Sequence, residues 1–240
     1  MARFFIEGIP AGTTVIDGED GHHIARSLRM KPGEQLTLCN GNGLDFLCEI
    51  TAVDGDNVTV SILEQTESRG EPTIAVTVYQ GLPKSDKMDW IAQKSVEAGV
   101  TRLVPVMTER CVSRPDGKAA AKKQDRWQKI AEEAAKQCGR GKIPAVSPLT
   151  DFRSAVAEAA QQGPVIFFYE GGGISLRELV HDDMTTLSIF IGPEGGFAES
   201  EVAFAKEHGA QIGSLGTRIF RTETAATAAL AAIMALTGNM

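Results

Sequence analysis

The chain has 240 residues, of which 42% are hydrophobic and 23% charged, and its formal charge is -7. These proportions exclude a disordered chain and leave room for one large or two medium globular domains. The acidic balance excludes indiscriminate nucleic-acid binding, which needs a broadly basic surface, so any nucleic-acid contact must come from local patches. No uninterrupted run of roughly 18 apolar residues marks a membrane span. The four cysteines, Cys39, Cys48, Cys111 and Cys138, form no CxxC pair. The opening MARFFIEGIP lacks a basic stretch followed by a long apolar one, and a reduced, cytoplasmic protein is expected.

Taken in chain order, residues 1–70 read as short strands separated by turn residues: RFFIEGIP, EQLTLCNGNGLDFLCEITAV and NVTVSILE. Asn42-Gly43 offers the positive-φ positions of a tight hairpin, and a small β-barrel or sandwich is expected. Within it, HHIARSLRMK (residues 22–31) reads as a helix with Arg26 and Arg29 on one face and Ile24 and Leu28 toward the core. This basic cluster sits in a region carrying 5 Lys and Arg against 11 Asp and Glu. It reads equally as a solvated helix face or as a contact for a polyanion.

ESRGEPT (residues 67–73) interrupts both patterns and marks a domain boundary, giving domains 1–70 and 71–240. Beyond it, strands alternate with helices. Strands are expected at TIAVTVYQGL, RLVPVMT, PVIFFYE, LSIFIG and AQIGSLG. Helices are expected at DKMDWIAQKSVEAGV, KKQDRWQKIAEEAAKQC, DFRSAVAEAA, ESEVAFAKEHG and TETAATAALAAIMAL. Such alternation implies a parallel sheet covered on both faces.

Two stretches carry chemistry. SIFIGPEGGF (residues 188–197) ends a strand in glycines, which is where open α/β sheets receive ligands. Its G-P-E-G-G spacing matches neither the dinucleotide nor the P-loop fingerprint. Pro193 removes an amide and Glu194 repels phosphate, so the loop suits a ligand that is cationic or neutral at this point; a turn built on structural glycines is the alternative. In GSLGTRIFRTETAATAALAAIMAL (residues 213–236), Arg218 and Arg221 precede a helix with Thr222 as N-cap candidate and Glu223 in its first turn. The helix is apolar nearly all round, so it is expected to be buried or packed on a partner subunit.

IGPEGGF (191–197) together with LGTRIFRTETA (215–225) resembles the paired C-terminal signatures of the RsmE family of 16S ribosomal RNA uridine methyltransferases, in the SPOUT superfamily. HHIARSLRMKPGE, KSVEAGVTRLVPVMTER and RWQKIAEEAAKQCGRGKIP agree in order and position, and Phe220 stands where the family pattern has an aliphatic residue. The resemblance implies an α/β fold: a SPOUT-type parallel sheet with a C-terminal trefoil knot, plus a small N-terminal PUA-like β-barrel that binds RNA. It implies a homodimer that transfers a methyl group from S-adenosylmethionine to N3 of one uridine of 16S rRNA in the small ribosomal subunit; a noncatalytic dimeric RNA-binding ribosome-assembly factor is the alternative. His22-His23 has no Cys or carboxylate partner at metal-ligand spacing, so no metal site is expected.

The cofactor is expected on Tyr169, Glu170 and Gly171, on Ile191, Gly192, Glu194, Gly195 and Gly196, and on Leu215, Gly216, Arg218, Ile219 and Phe220. For catalysis, Arg221 holds a uracil oxygen, Glu223 or Glu194 accepts the N3 proton, and Thr222 orients. RNA contact is expected from Arg3, Arg26, Arg29, Lys84, Lys87, Arg110, Arg114, Gln137 and Arg140, each of which also reads as an ordinary solvated side chain.

Overall fold

Apolar side chains alternate along much of residues 44–62, and this period of two builds paired strands with one buried row. The computed structural model describes residues 1–10 and 12–240. Its first sheet contains β1 (Arg3–Phe5), β2 (Thr13–Ile16), β3 (Gln35–Cys39), β4 (Leu44–Asp54) and β5 (Asn57–Glu67), in the order β1-β3-β4-β5-β2. All pairs are antiparallel except β1 with β3. Leu36, Leu38, Phe46, Ile50, Val58 and Val60 form the core with Phe4 and Ile24.

Two local expectations change. In the β3–β4 turn the positive φ values fall at Gly41 (71°) and Gly43 (94°) rather than at Asn42. The Asn40 side chain accepts the Asn42 and Leu44 amides at 2.9 and 3.1 Å and so organises the turn from its start. The expected helix at residues 22–31 is instead α1 (Gly18–His22) running into a π-turn at His23–Ser27. That wider turn changes the facing of the residues after it. Ile24 is buried as expected, but Leu28 is 44% exposed and Arg29 lies beyond the helix at φ 54°, so Arg26 and Arg29 share no helical face.

The chain divides into two units, Met1–Glu71 with Ala135–Ile143, and Pro72–Ala134 with Pro144–Met240. Residues 135–143 therefore group with the first sheet, although they lie far along the sequence. Glu71 explains this: its carboxylate accepts the Arg140 guanidinium at 2.8 and 3.3 Å and the Gly141 and Lys142 amides at 2.9 Å each. The two backbones run so close that a Cβ on Gly70 would lie 2.8 Å from the Gly139 carbonyl oxygen.

In the second unit, continuous apolar runs give β6 (Ala75–Gly81), β7 (Arg102–Met107), β10 (Val165–Phe168) and β12 (Thr186–Ile191), as buried parallel strands require. Shorter strands are β8 (Ala145–Val146), β9 (Thr150–Asp151), β11 (Ile174–Ser175) and β13 (Gln211–Ser214). The sheet is wholly parallel, in the order β11-β13-β10-β12-β6-β7-β8 with β9 also on β7. Its helices are α2 (Lys87–Glu97), α3 (Gly117–Cys138, whose last residues group with the first unit), α4 (Phe152–Gln162), α5 (Leu176–Leu179), α6 (Glu199–Glu207) and α7 (Thr222–Leu236). Tyr79, Phe167 and Phe190 pack with α4 and α6 on one face. By alternation Val78, Ile166 and Ile189 point to the other face, where α7 meets β6, β12 and α2.

This order positions the site. Strands β13, β10, β12 and β6 are consecutive neighbours and all point the same way, so the chain segments leaving their C-terminal ends converge on one edge.

Candidate active site

A cavity of about 1050 Å³ opens at that edge, lined by residues 168–173 except Gly171, 191–197 and 213–223, together with Lys87 and Ala225. Every residue expected on the cofactor lines it apart from Gly171. A Cβ on Gly171 would lie 2.4 Å from Tyr169 Cε1, so that glycine makes room for the Tyr169 ring. Gly172 and Gly173 line the wall instead.

Glycine is required where the loops approach one another. A Cβ on Gly192 would lie 3.1 Å from Gly196 Cα, and one on Gly196 (φ 65°) would meet the Glu170 carboxylate at 2.7 Å. Below them, Gly81 at the end of β6 admits Pro193, whose Cδ would lie 2.5 Å from a Cβ there. The floor is therefore backbone, and the lining also includes Glu170, Glu194, Glu223, Arg218 and Arg221.

Glu194 and Glu223 are joined by Lys87, whose Nζ lies 3.0 Å from Glu194 Oε1 and 3.1 Å from Glu223 Oε2. Both contacts are ion pairs. The Lys84 amide also donates to Glu194 at 3.1 Å. The negative charge of Glu194 and then of Glu223 pushes the Lys87 ammonium up from its ordinary value. For Glu194, burial pushes the carboxyl up, but its own amide, Lys87 and the Lys84 amide together hold it below the ordinary range. The Glu223 carboxyl is also held low, chiefly by its own amide, with Lys87 assisting against burial. A carboxylate held low and already paired is a weak proton acceptor. Both glutamates expected as base are paired in this way.

Thr222 also differs from expectation. Helix α7 begins at Thr222 with Arg221 as its N-cap, and the Thr222 hydroxyl donates to the Gly192 carbonyl at 2.6 Å instead of capping. Gln80, which sequence reasoning passed over, donates to Thr222 Oγ1 at 2.9 Å. Its only signal was an amide inside the apolar run VTVYQG. Lys87, expected on RNA, lies inside the cavity.

The other residues expected on RNA fall into two groups. Arg3 grips Asp45 at 2.6 and 2.7 Å, and Arg140, only 4% exposed, is bound to Glu71. Arg110 donates to the Gly195 carbonyl at 2.9 Å, and Arg114 to the Glu109 carbonyl at 2.9 Å beside a separate cavity of about 290 Å³. These four bond to the protein itself, although Arg110 and Arg114 are also exposed. Lys84, Arg29 and Gln137 are exposed, and Arg26 is exposed but bonded to Asp56 at 3.1 Å.

Two family models match the chain, an RNA methyltransferase domain over residues 70–234 and an RNA methyltransferase PUA domain over residues 16–63. The ribosomal RNA small subunit methyltransferase E of Bacillus subtilis (strain 168) is 37% identical, with 97% of this chain and 96% of that protein covered. Its counterpart from Mycobacterium bovis is 31% identical, covering 98% and 92%. A solved structure of the Neisseria gonorrhoeae enzyme of the same name, bound to S-adenosyl methionine, matches at a TM-score of 0.90 and 34% identity over 98% of each chain. With the sheet order and the glycine-floored cavity in place, these matches establish that the chain belongs to the ribosomal RNA small subunit methyltransferase E family.

Proposed function

We propose that this protein is an S-adenosylmethionine-dependent methyltransferase acting on N3 of a uridine in small-subunit ribosomal RNA. The observation that carries the reading is the cavity itself: three loops meet over a backbone floor, with Glu170, Glu194 and Glu223 on the wall. Its volume of about 1050 Å³ suits a ligand of nucleoside-plus-amino-acid size. The Glu170 carboxylate beside Gly196 complements a cation, and the glycines allow the close approach that a folded cofactor needs. The residues present therefore fit S-adenosylmethionine, which supplies an electrophilic methyl group when bound.

The chain's own residues have three tasks. Residues 192–196 and 215–220 hold and bury the ligand by backbone contact. Arg221, exposed at the mouth and set at the start of α7, donates to a uracil carbonyl oxygen as negative charge develops on the ring. Lys87 ties Glu194 to Glu223 and so fixes the cofactor loop against α7. With both carboxylates engaged, the N3 proton leaves to solvent while Arg221 stabilises the anion, and alignment of N3 with the methyl supplies much of the remaining acceleration.

A homodimer is part of this reading. It is supported by α7, where Thr224, Ala225, Thr227, Ala228, Ala231, Ala232 and Ala235 remain at least partly exposed on an otherwise apolar helix. The trefoil threading and the RNA-binding role of the first unit belong to it as well, with exposed Arg26, Arg29 and Lys84 as phosphate contacts.

Calorimetry with S-adenosylmethionine tests the cavity: binding is expected for the parent, with a loss of at least tenfold in affinity for Gly196→Val, which places a branched side chain against Glu170. Equal affinity in the two proteins would move the cofactor elsewhere. Nucleoside analysis of rRNA methylated in vitro then tests the N3 assignment, with 3-methyluridine expected and any other methylated nucleoside refuting it.

A further inference from the structure

β6 is a central strand of a wholly parallel sheet, where apolar side chains are the rule. Gln80 breaks it. The residue is 0% exposed, and its neighbours on the flanking strands are Ile191 and Pro105, which offer no polar side chain. A buried amide is unfavourable unless it is bonded; here the nitrogen is bonded, while Oε1 has no partner among the described residues. Gln80 Nε2 lies 2.9 Å from Thr222 Oγ1, 3.0 Å from the Gly81 carbonyl oxygen and 3.4 Å from the Gly192 carbonyl oxygen.

The direction of these bonds is fixed. Thr222 has one hydroxyl hydrogen, given to the Gly192 carbonyl at 2.6 Å, so the group facing its lone pair must be a donor. An amide nitrogen meets that demand, whereas a carboxylate or a methyl does not. Donation thus runs from Gln80 to Thr222 to Gly192. It joins the end of β6, the first residue of the loop over Gly196, and the first residue of α7.

We propose that Gln80 is a positioning residue for methyl transfer: acting through Thr222 and the Gly192 carbonyl, it sets the cofactor loop against the opening turn of α7, which carries Arg221 and Glu223. The inference rests on reading the cavity as the cofactor site. Gln80 does not line the cavity, and its effect on the ligand is wholly indirect. The close approach of Pro193 to Gly81 makes the arrangement sensitive to small displacements, because there is no slack at the strand end.

Calorimetry with S-adenosylmethionine on Gln80→Met, Gln80→Glu, Thr222→Val, Thr222→Ser and the double variant Gln80→Met with Thr222→Val provides the test. Gln80→Met, Gln80→Glu and Thr222→Val each weaken binding about tenfold, the effect of losing one buried hydrogen bond. The double variant is no worse than about tenfold, because both changes break the same chain of donors. Thr222→Ser, which keeps the hydroxyl, binds within about threefold of the parent. Independent losses that multiply to about a hundredfold in the double variant, or unchanged affinity in Gln80→Met, overturn the inference while leaving the functional reading intact. Absence of binding by the parent overturns both. Should the Gln80 variants fail to fold, the contrast between Thr222→Val and Thr222→Ser still decides, since equal affinities refute the role of the hydroxyl on which it depends.

Discussion

Two pairs of arginines, one pair in each unit, are used in opposite ways. In the first, Arg3 and Arg140 are nearly enclosed and are bound to the carboxylates of Asp45 and Glu71. Asp45 is held below its ordinary value because Arg3 and then Ser68 outweigh the opposing effect of burial. In the second, Arg218 and Arg221 are exposed at the cavity mouth, where the nearby carboxylates Glu194 and Glu223 are tied to Lys87 instead. The difference lies in which cation takes the acid. A lysine from α2 takes two of the cavity's acids, Glu194 and Glu223, and the arginines are left to face a ligand. Where an arginine takes the acid itself, it becomes part of the framework.

Substitution of the two kinds of arginine separates these uses, and Arg221 should give the largest effect. Arg221→Ala lowers the single-turnover rate of methyl transfer by about 100- to 1000-fold, as for removal of one oxyanion donor, with the melting temperature unchanged. A loss confined to the melting temperature would place Arg221 with the framework arginines. Arg140→Ala shows the reverse pattern. It strands Glu71 with two backbone amides and costs about 3 kcal/mol in urea unfolding, while cofactor affinity in the folded protein is retained.

The pH dependence of the rate is a gentler probe. Glu194 and Glu223 have depressed values in the folded protein, so their contribution to stability is complete above the ordinary carboxylate value of about 4.3. It is lost only as the pH falls through the folded values. Neither titrates between about pH 5.5 and 8.5. With the proton leaving to solvent, the single-turnover rate rises about tenfold per pH unit across that window. A flat profile would restore one of the carboxylates as the base. The smallest effect is expected at Arg29: Arg29→Ala reduces the slope of log affinity for rRNA against log salt by about one unit, and an unchanged slope would remove it from the phosphate contacts.

How far the sequence alone could go depends on where the deciding partners lie. The runs that became β6, β7, β10 and β12 are continuous and apolar, and α7 begins and ends where its alanine-rich pattern does. The glycine loops were legible for the same reason, since G-P-E-G-G after a buried strand has few other uses. Local spacing was silent on β8, β9 and β11, two-residue strands that exist because a longer neighbour offers free backbone groups. It was misleading for residues 22–31, where the π-turn shifts the helical face by a residue. Arg3, Arg140 and Lys87 could not be assigned because Asp45, Glu71 and Glu194 lie 42, 69 and 107 positions away along the chain. Gln80 was hidden because its meaning depends on Thr222, 142 residues further on.

The most direct test of the account is mass mapping of small-subunit rRNA from cells lacking this protein, repeated after return of the parent gene or of the Arg221→Ala gene. The account predicts loss of the methyl group from N3 of a single uridine, its restoration by the parent, and little or no restoration by the variant. An rRNA map identical with and without the protein would contradict it.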